Sequence, residues 1–185
     1  MLPNNLLPSD LQEIAFIAGG FAACPALASD VDVWVPVLGD VSVLNAARTR
    51  ILSHLRLHGF NFEEQDGRGS KREQFALDRS LSRDIFVSST FEGYHLSLLI
   101  RRVATVSAQG SLPYHIIIVN GEVDDVLSSF DISTHQCALT VRGFVAGEDW
   151  TPLHEDPKVI TLKYTTAERL LKIRNRYAHL RRVVA

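Results

Sequence analysis

The sequence predicts an α+β or α/β domain, a mixed and mostly β core flanked by helices, with a C-terminal helix packed on the core. Three observations predict that class. Val31–Val37 reads VDVWVPV, apolar at every second position, as a strand buried on one face must be. The stretch from Asp40 to His58 opens on the capping residues Asp40 and Ser42 and meets Gly59, the marks of a long helix. Leu170, Ile173, Tyr177, Leu180 and Val184 recur at helical spacing behind Thr165-Thr166-Ala167-Glu168, a capping-box sequence.

The remaining elements follow in order. Residues 1–8 are a polar, proline-containing lead-in, after which Ser9 and Asp10 can cap a short helix. Ile14–Ala18 (IAFIA) is apolar and meets Gly19-Gly20; five residues fit a buried strand or the end of a helix equally well. Residues 21–27 (FAACPAL) are short and apolar, and Pro25 limits any helix there. Residues 64–73 (EQDGRGSKRE) read as a mobile polar loop. Ile85–Ser88 and Tyr94–Arg101 read as two strands of a hairpin turning through Glu92-Gly93. Tyr114–Val119 (YHIIIV) is another strand, followed by a turn at Asn120-Gly121 and one helical turn within 122–129, capped by Asp124 and Asp125. Phe130–Val141 alternates loosely, as one or two strands, and residues 147–157 are a loop. We divide the chain into a core, 1–145, and a C-terminal extension, 146–185, carrying a basic amphipathic helix packed on that core.

Composition narrows the function classes. The 185 residues suffice for one domain with a real core, and 46% hydrophobic with 22% charged residues is ordinary for a globular chain. A formal net charge of −2 supplies no global field toward nucleic acid, so any such contact needs a local patch. Two cysteines, Cys24 and Cys137, are too few for a disulfide framework or a thiolate zinc site and read as small core fillers. They fit a reducing, cytoplasmic setting. The N-terminus has no basic region leading into an apolar run, and no stretch approaches the roughly 18 apolar residues of a membrane span.

The segment that carries chemistry is Phe16–Val35, FIAGGFAACPALASDVDVWV. A Gly-Gly turn follows an apolar run, and Asp-x-Asp opens a strand ten residues later. Residues two apart on a strand point to one side, so Asp30 and Asp32 aim both carboxylates into one site. Two hard oxygen ligands at that spacing suit Mg²⁺, which takes carboxylates, water and phosphate oxygens. Gly19 and Gly20 let backbone come close to a triphosphate, and Ser29 adds a hydroxyl donor.

This arrangement resembles the signature of the nucleotidyltransferase superfamily: an apolar strand, Gly-Gly, a short helix, then Asp-hydrophobic-Asp-hydrophobic on a strand. It is most similar to the form found in aminoglycoside and lincosamide adenylyltransferases and in tRNA nucleotidyltransferases. The likeness covers residues 14–37 closely and the rest in outline. It implies a mixed sheet flanked by helices, two Mg²⁺ ions, and transfer of a nucleoside monophosphate, AMP foremost, from ATP or another NTP to a hydroxyl acceptor. Two-metal sites hold their ions about 3.5–4 Å apart, one activating the attacking oxygen and one the leaving group. Gly19, Gly20 and Ser29 would then cradle the triphosphate, and Asp30 and Asp32 would hold the metal. The resemblance also implies a third acid on a later strand. Asp131, in Ser128-Ser129-Phe130-Asp131-Ile132, fits as metal ligand and general base. The alternative strand, 114–119, offers His115 at that position. VLSSFDISTHQCAL further resembles a segment of uncharacterised nucleotidyltransferase-like proteins of phages and large DNA viruses. The sequence departs from the adenylyltransferase pattern in one respect: residues 21–29 contain no basic residue.

Other features carry less. The seven histidines show no metal-ligand spacing, and His115 and His135 read as core or edge residues. Arg68, Lys71 and Arg72 decorate the predicted polar loop. Arg169, Lys172, Arg174, Arg176, Arg181 and Arg182 stand against the single Glu168 on the C-terminal helix, where cations suit the helix dipole and can also meet the phosphates of RNA or DNA. The acceptor, whether a tRNA end, a protein hydroxyl or a small molecule, must be held by the tail, a second subunit or a partner protein. The rival readings are a nucleotidyltransferase-like module that binds without catalysing, and an RNA-binding domain working through the basic helix.

Overall fold

The computed structural model describes residues 2–64, 86–91, 94–107, 110–160 and 167–181. Helix α1 (Ser9–Ile14) starts behind Pro8 and not behind a Ser9 or Asp10 cap; Asp10 lies in its first turn and takes two hydrogen bonds from Arg50, at 2.8 and 2.9 Å. That guanidinium holds the Asp10 carboxyl below its usual range. The IAFIA run resolves as both alternatives in turn. The helix ends at Ile14, and Phe16–Ala18 form strand β1, buried at all three positions. Helix α2 (Gly20–Ala23) and a 3₁₀ turn (Pro25–Leu27) lead to strand β2 (Val31–Pro36). Helix α3 (Val41–Leu57) is capped by Asp40, whose carboxylate accepts from the amides of Ser42 (2.9 Å) and Val43 (3.2 Å), and it stops before Gly59 at a φ of 69°.

Strands β3 (Phe62–Glu64), β4 (Phe86–Phe91), β5 (Tyr94–Val106) and β6 (Tyr114–Asn120) follow. Helix α4 (Val123–Ser128) is capped by Glu122, with Asp125 closing the box from inside the first turn. A 3₁₀ turn (Ser133–His135) precedes strands β7 (Cys137–Thr140) and β8 (Gly143–Ala146), and the chain closes with helices α5 (Ala167–Arg176) and α6 (Ala178–Arg181).

Among the described residues the strands form one eight-stranded mixed sheet in the order β3-β5-β6-β2-β1-β7-β8, with β4 also on β5. β2 and β6 are parallel and every other pairing is antiparallel. β3 and β4 share one edge of the long β5, at its C-terminal and N-terminal parts. Alternation along the central strands sorts side chains to two faces. Val33, Val35, Ile116 and Ile118 pack with Leu44, Ile51 and Leu55 of α3. Phe16, Trp34, Ile117 and Val119 pack on the opposite face with Val126 and Leu127 of α4. A third cluster, Ile132 with Ile173 and Tyr177, fixes α5 to the core.

Several expectations need correction. The stretch 130–136 is not strand: Ile132 makes an isolated bridge to Val159 and the 3₁₀ turn follows, so Asp131 sits in a crossing segment and not at a strand mouth. Strand β8 goes unmarked in sequence because Gly143–Ala146 is short and mostly exposed. The C-terminal stripe is not one helix; it breaks at Tyr177. Most of the 64–73 segment, including Arg68, Lys71 and Arg72, lies outside the described residues, as do Glu92-Gly93, Thr165, Thr166, Arg182 and Val184. Glu64 itself ends β3 and pairs with Arg48 and Arg56 of α3. Among the described residues no helix is long and apolar enough to cross a membrane.

Candidate active site

Strand pairing brings the two halves of the motif together. β1 runs antiparallel to β2 with Phe16 beside Trp34 and Ile17 beside Val33. That register carries the chain leaving β1, Gly19-Gly20, to the end of β2 that bears Asp30 and Asp32. Gly19 has φ 80° and ψ −141°, a conformation essentially restricted to glycine. A β-carbon placed there would lie 3.6 Å from the Phe130 ring and 4.0 Å from Oδ2 of Asp32. Gly19→Ala therefore introduces about 1–3 kcal/mol of backbone strain, to be read as a lowered denaturant midpoint. The Gly19 amide itself donates to the Cys137 carbonyl at 3.3 Å, extending the β1–β7 ladder. It is thus committed to the sheet, and not to a phosphate.

Asp32 and Trp34 share the face of β2 that carries Phe16 and Ile117, since the intervening valines point the other way. Trp34 meets Phe130 edge to face, ring centroids 6.1 Å apart. Asp30 precedes the strand and receives the Ser29 hydroxyl at 3.3 Å. In the parallel register of β2 and β6, Asp32 lies beside His115. Nδ1 of His115 stands 3.3 Å from Oδ1 of Asp32 and 3.8 Å from Oδ2 of Asp30. The three side chains remain partly open, with 44%, 31% and 25% of the Asp30, Asp32 and His115 side chains accessible. They are reachable by solute and still shielded enough for charge to matter.

Asp131 is placed differently. Arg169 of α5 grips both of its oxygens, Nε at 2.8 Å and Nη2 at 2.9 Å, in a bidentate pair. Its carbonyl accepts from Ile160 at 2.9 Å. Among the described residues no group of three or more acids, histidines or cysteines is gathered that could hold a metal ion. Asp124 and Asp125 do not provide the N-cap of α4 as expected: Glu122 is the N-cap, and both aspartates lie inside the first turn.

Behind the site lies a buried His135, 3.3 Å from the Tyr177 hydroxyl. Burial, then the positive charge of Arg169, lower its pKa to about 4; Arg176 adds to this, and Asp131 and Asp32 oppose it. His135 is therefore neutral at neutral pH. Burial raises the Tyr177 hydroxyl, and it raises the Cys137 thiol to about 11, which leaves Cys137 an inert core residue. Sequence reasoning missed two contributors to the site. His115 reads in sequence as a core or edge residue, or as the alternative at the third-acid position, and nothing local signals the β2–β6 register that sets it beside Asp32. Arg176 was grouped with a generic basic face, whereas its Nη1 lies 3.7 Å from where a β-carbon of Gly20 would be. The helical period running through Ile173 and Tyr177 held the only available signal.

Compared with known proteins, the chain matches no family model, and no curated protein is significantly similar to it.

Proposed function

We propose that the chain is a divalent-cation-dependent nucleotidyltransferase, moving a nucleoside monophosphate from an NTP to a hydroxyl acceptor. The observation that carries this reading is the joining of the glycine turn to the Asp pair. Gly19, in a conformation closed to other residues, stands against Asp32, with Asp30, Ser29 and His115 around it. The donor set fits Mg²⁺: two partly open carboxylates leave the remaining positions to water and phosphate oxygens, which is how this ion is usually bound. Bound there by Asp30 and Asp32, the metal would supply charge neutralisation on the triphosphate.

The chain's own residues do the rest. An acceptor oxygen attacks the α-phosphorus, the bond to pyrophosphate breaks, and the acceptor's proton passes to His115, whose hydrogen bond to Asp32 orients the ring and stabilises its cation. Phe130 and Trp34 form an apolar wall beside the turn. Asp131, held by Arg169, acts by docking α5. His115→Phe, which fills the same space without a proton acceptor, lowers transfer roughly a hundredfold while leaving NTP binding in place. Transfer at the native rate in that variant would exclude His115 as the base. Thermal-shift measurements against the four NTPs, with and without Mg²⁺, test the site itself. A Mg²⁺-dependent rise in melting temperature, lost in Asp32→Ala, is expected.

A second reading is favoured by the ion pair at Asp131, which engages both oxygens of the third acid with Arg169. On that reading the chain binds nucleotide without transferring it. Incorporation of labelled NMP into an acceptor separates the two.

A further inference from the structure

We infer that Arg176, at the end of α5, is the residue that binds the triphosphate of the incoming nucleotide; this deepens the nucleotidyltransferase reading and rests on it. An NTP brought to Asp30 and Asp32 adds several negative charges to a place that already holds two carboxylates. The loop between the glycine turn and the Asp pair contains no basic residue, and the Gly19 amide is already bonded to Cys137. The compensating cation must come from elsewhere in the fold, and among the described residues Arg176 is placed to supply it. Its Nη1 lies 3.7 Å from the position a Gly20 β-carbon would take, so the guanidinium lies against the glycine turn.

Three further observations fit. The end of α5 is anchored, since Ile173 and Tyr177 are 4% and 1% exposed and pack with Ile132, so Arg176 is presented from a fixed frame. The other arginines of this helix have acidic partners, Arg169 on Asp131 and Arg174 on Asp156. Among the described residues Arg176 is in no ion pair, and its positive charge acts on the neighbouring Tyr177 hydroxyl. Finally, Arg176 and Asp32 both act electrostatically on His135, one lowering and one raising its pKa, which puts the cation and the carboxylate in one neighbourhood. A guanidinium suits the task because its planar fork meets two phosphate oxygens at once.

The test is calorimetric titration of the full chain with each of the four NTPs and the matching NMPs, in Mg²⁺. It compares wild type with Arg176→Ala, Arg176→Gln and Arg174→Ala. The Gln variant keeps a polar side chain for Tyr177 while removing the charge, and it is used if the Ala variant melts early. We expect loss of the Arg176 charge to weaken NTP binding roughly tenfold to a hundredfold, to shrink the preference for NTP over NMP by a similar factor, and Arg174→Ala to bind as wild type. If wild type binds an NTP and the Arg176 variants bind it equally well, this inference fails alone. If wild type binds none of the four, the nucleotidyltransferase reading fails and takes the inference with it.

Discussion

If the chain is the nucleotidyltransferase proposed, Asp30→Ala and Asp32→Ala are each expected to lower nucleotidyl transfer on the order of a thousandfold while the domain stays folded. Both parts of that expectation come from position. The two carboxylates stand at the open end of β2, beside the turn that places Gly19 against Asp32. Nothing else described at that end offers paired oxygen ligands. Losing either one removes positioning and charge compensation together, and both act most strongly in the transition state. Stability follows a different logic. The two side chains are 44% and 31% accessible, so their removal neither opens a sealed cavity nor strands a buried charge. Asp32→Ala loses one long hydrogen bond to His115 and also relieves the repulsion between neighbouring carboxylates. Release of pyrophosphate in the presence of acceptor measures the first part, and thermal melting measures the second. Full turnover in either variant would remove the metal site from these residues.

Acidification is expected to destabilise the native fold between pH 6.5 and 4, and His135 is expected to cause much of the loss. The sign follows from where protons bind. In the unfolded chain an ordinary histidine protonates near pH 6.5, whereas His135 in the fold resists until about pH 4. Between those values the unfolded state holds more protons, so stability falls as pH falls; above pH 6.5 the contribution of His135 to folding is complete. A shift of that size corresponds to roughly 3 kcal/mol across the window. Arg169 and Arg176 oppose the protonated ring and Asp131 and Asp32 favour it, so the neighbouring charges partly cancel and burial dominates. Urea titrations from pH 7 to pH 4 give the slope directly. His135→Gln, neutral throughout, should flatten it, and an unchanged slope in that variant would assign the acid sensitivity to other groups.

What the sequence disclosed depended on how local each signal was. The alternation of Val31–Val37 and the Asp40 and Gly59 boundaries of α3 are written within a few residues, and the structure has them nearly where expected. The glycine turn and Asp pair were legible for the same reason. The position of Asp131 differs from the strand mouth expected because an acid between apolar neighbours looks the same there and in a crossing segment; only the bridge from Ile132 to Val159 tells them apart. His115 and Arg176 were hidden by distance. One reaches Asp32 through a parallel pairing and the other reaches Gly20 from the far end of the chain, and no short window contains either relation. The single-helix expectation for the tail failed because a helical stripe marks a face and says nothing about a break at Tyr177.

The place of β1 in the sheet has a consequence for how the protein is made. β1 lies between β2, which follows it closely in the chain, and β7, which is synthesised much later than either. On the ribosome, β1 can meet β2 early, yet its other edge stays open until Ala138 and Leu139 emerge, and the Gly19 amide waits for Cys137. Contacts of such long range are slow to form. Translation products that stop short of β7 would therefore carry both aspartates and both glycines without the assembled turn.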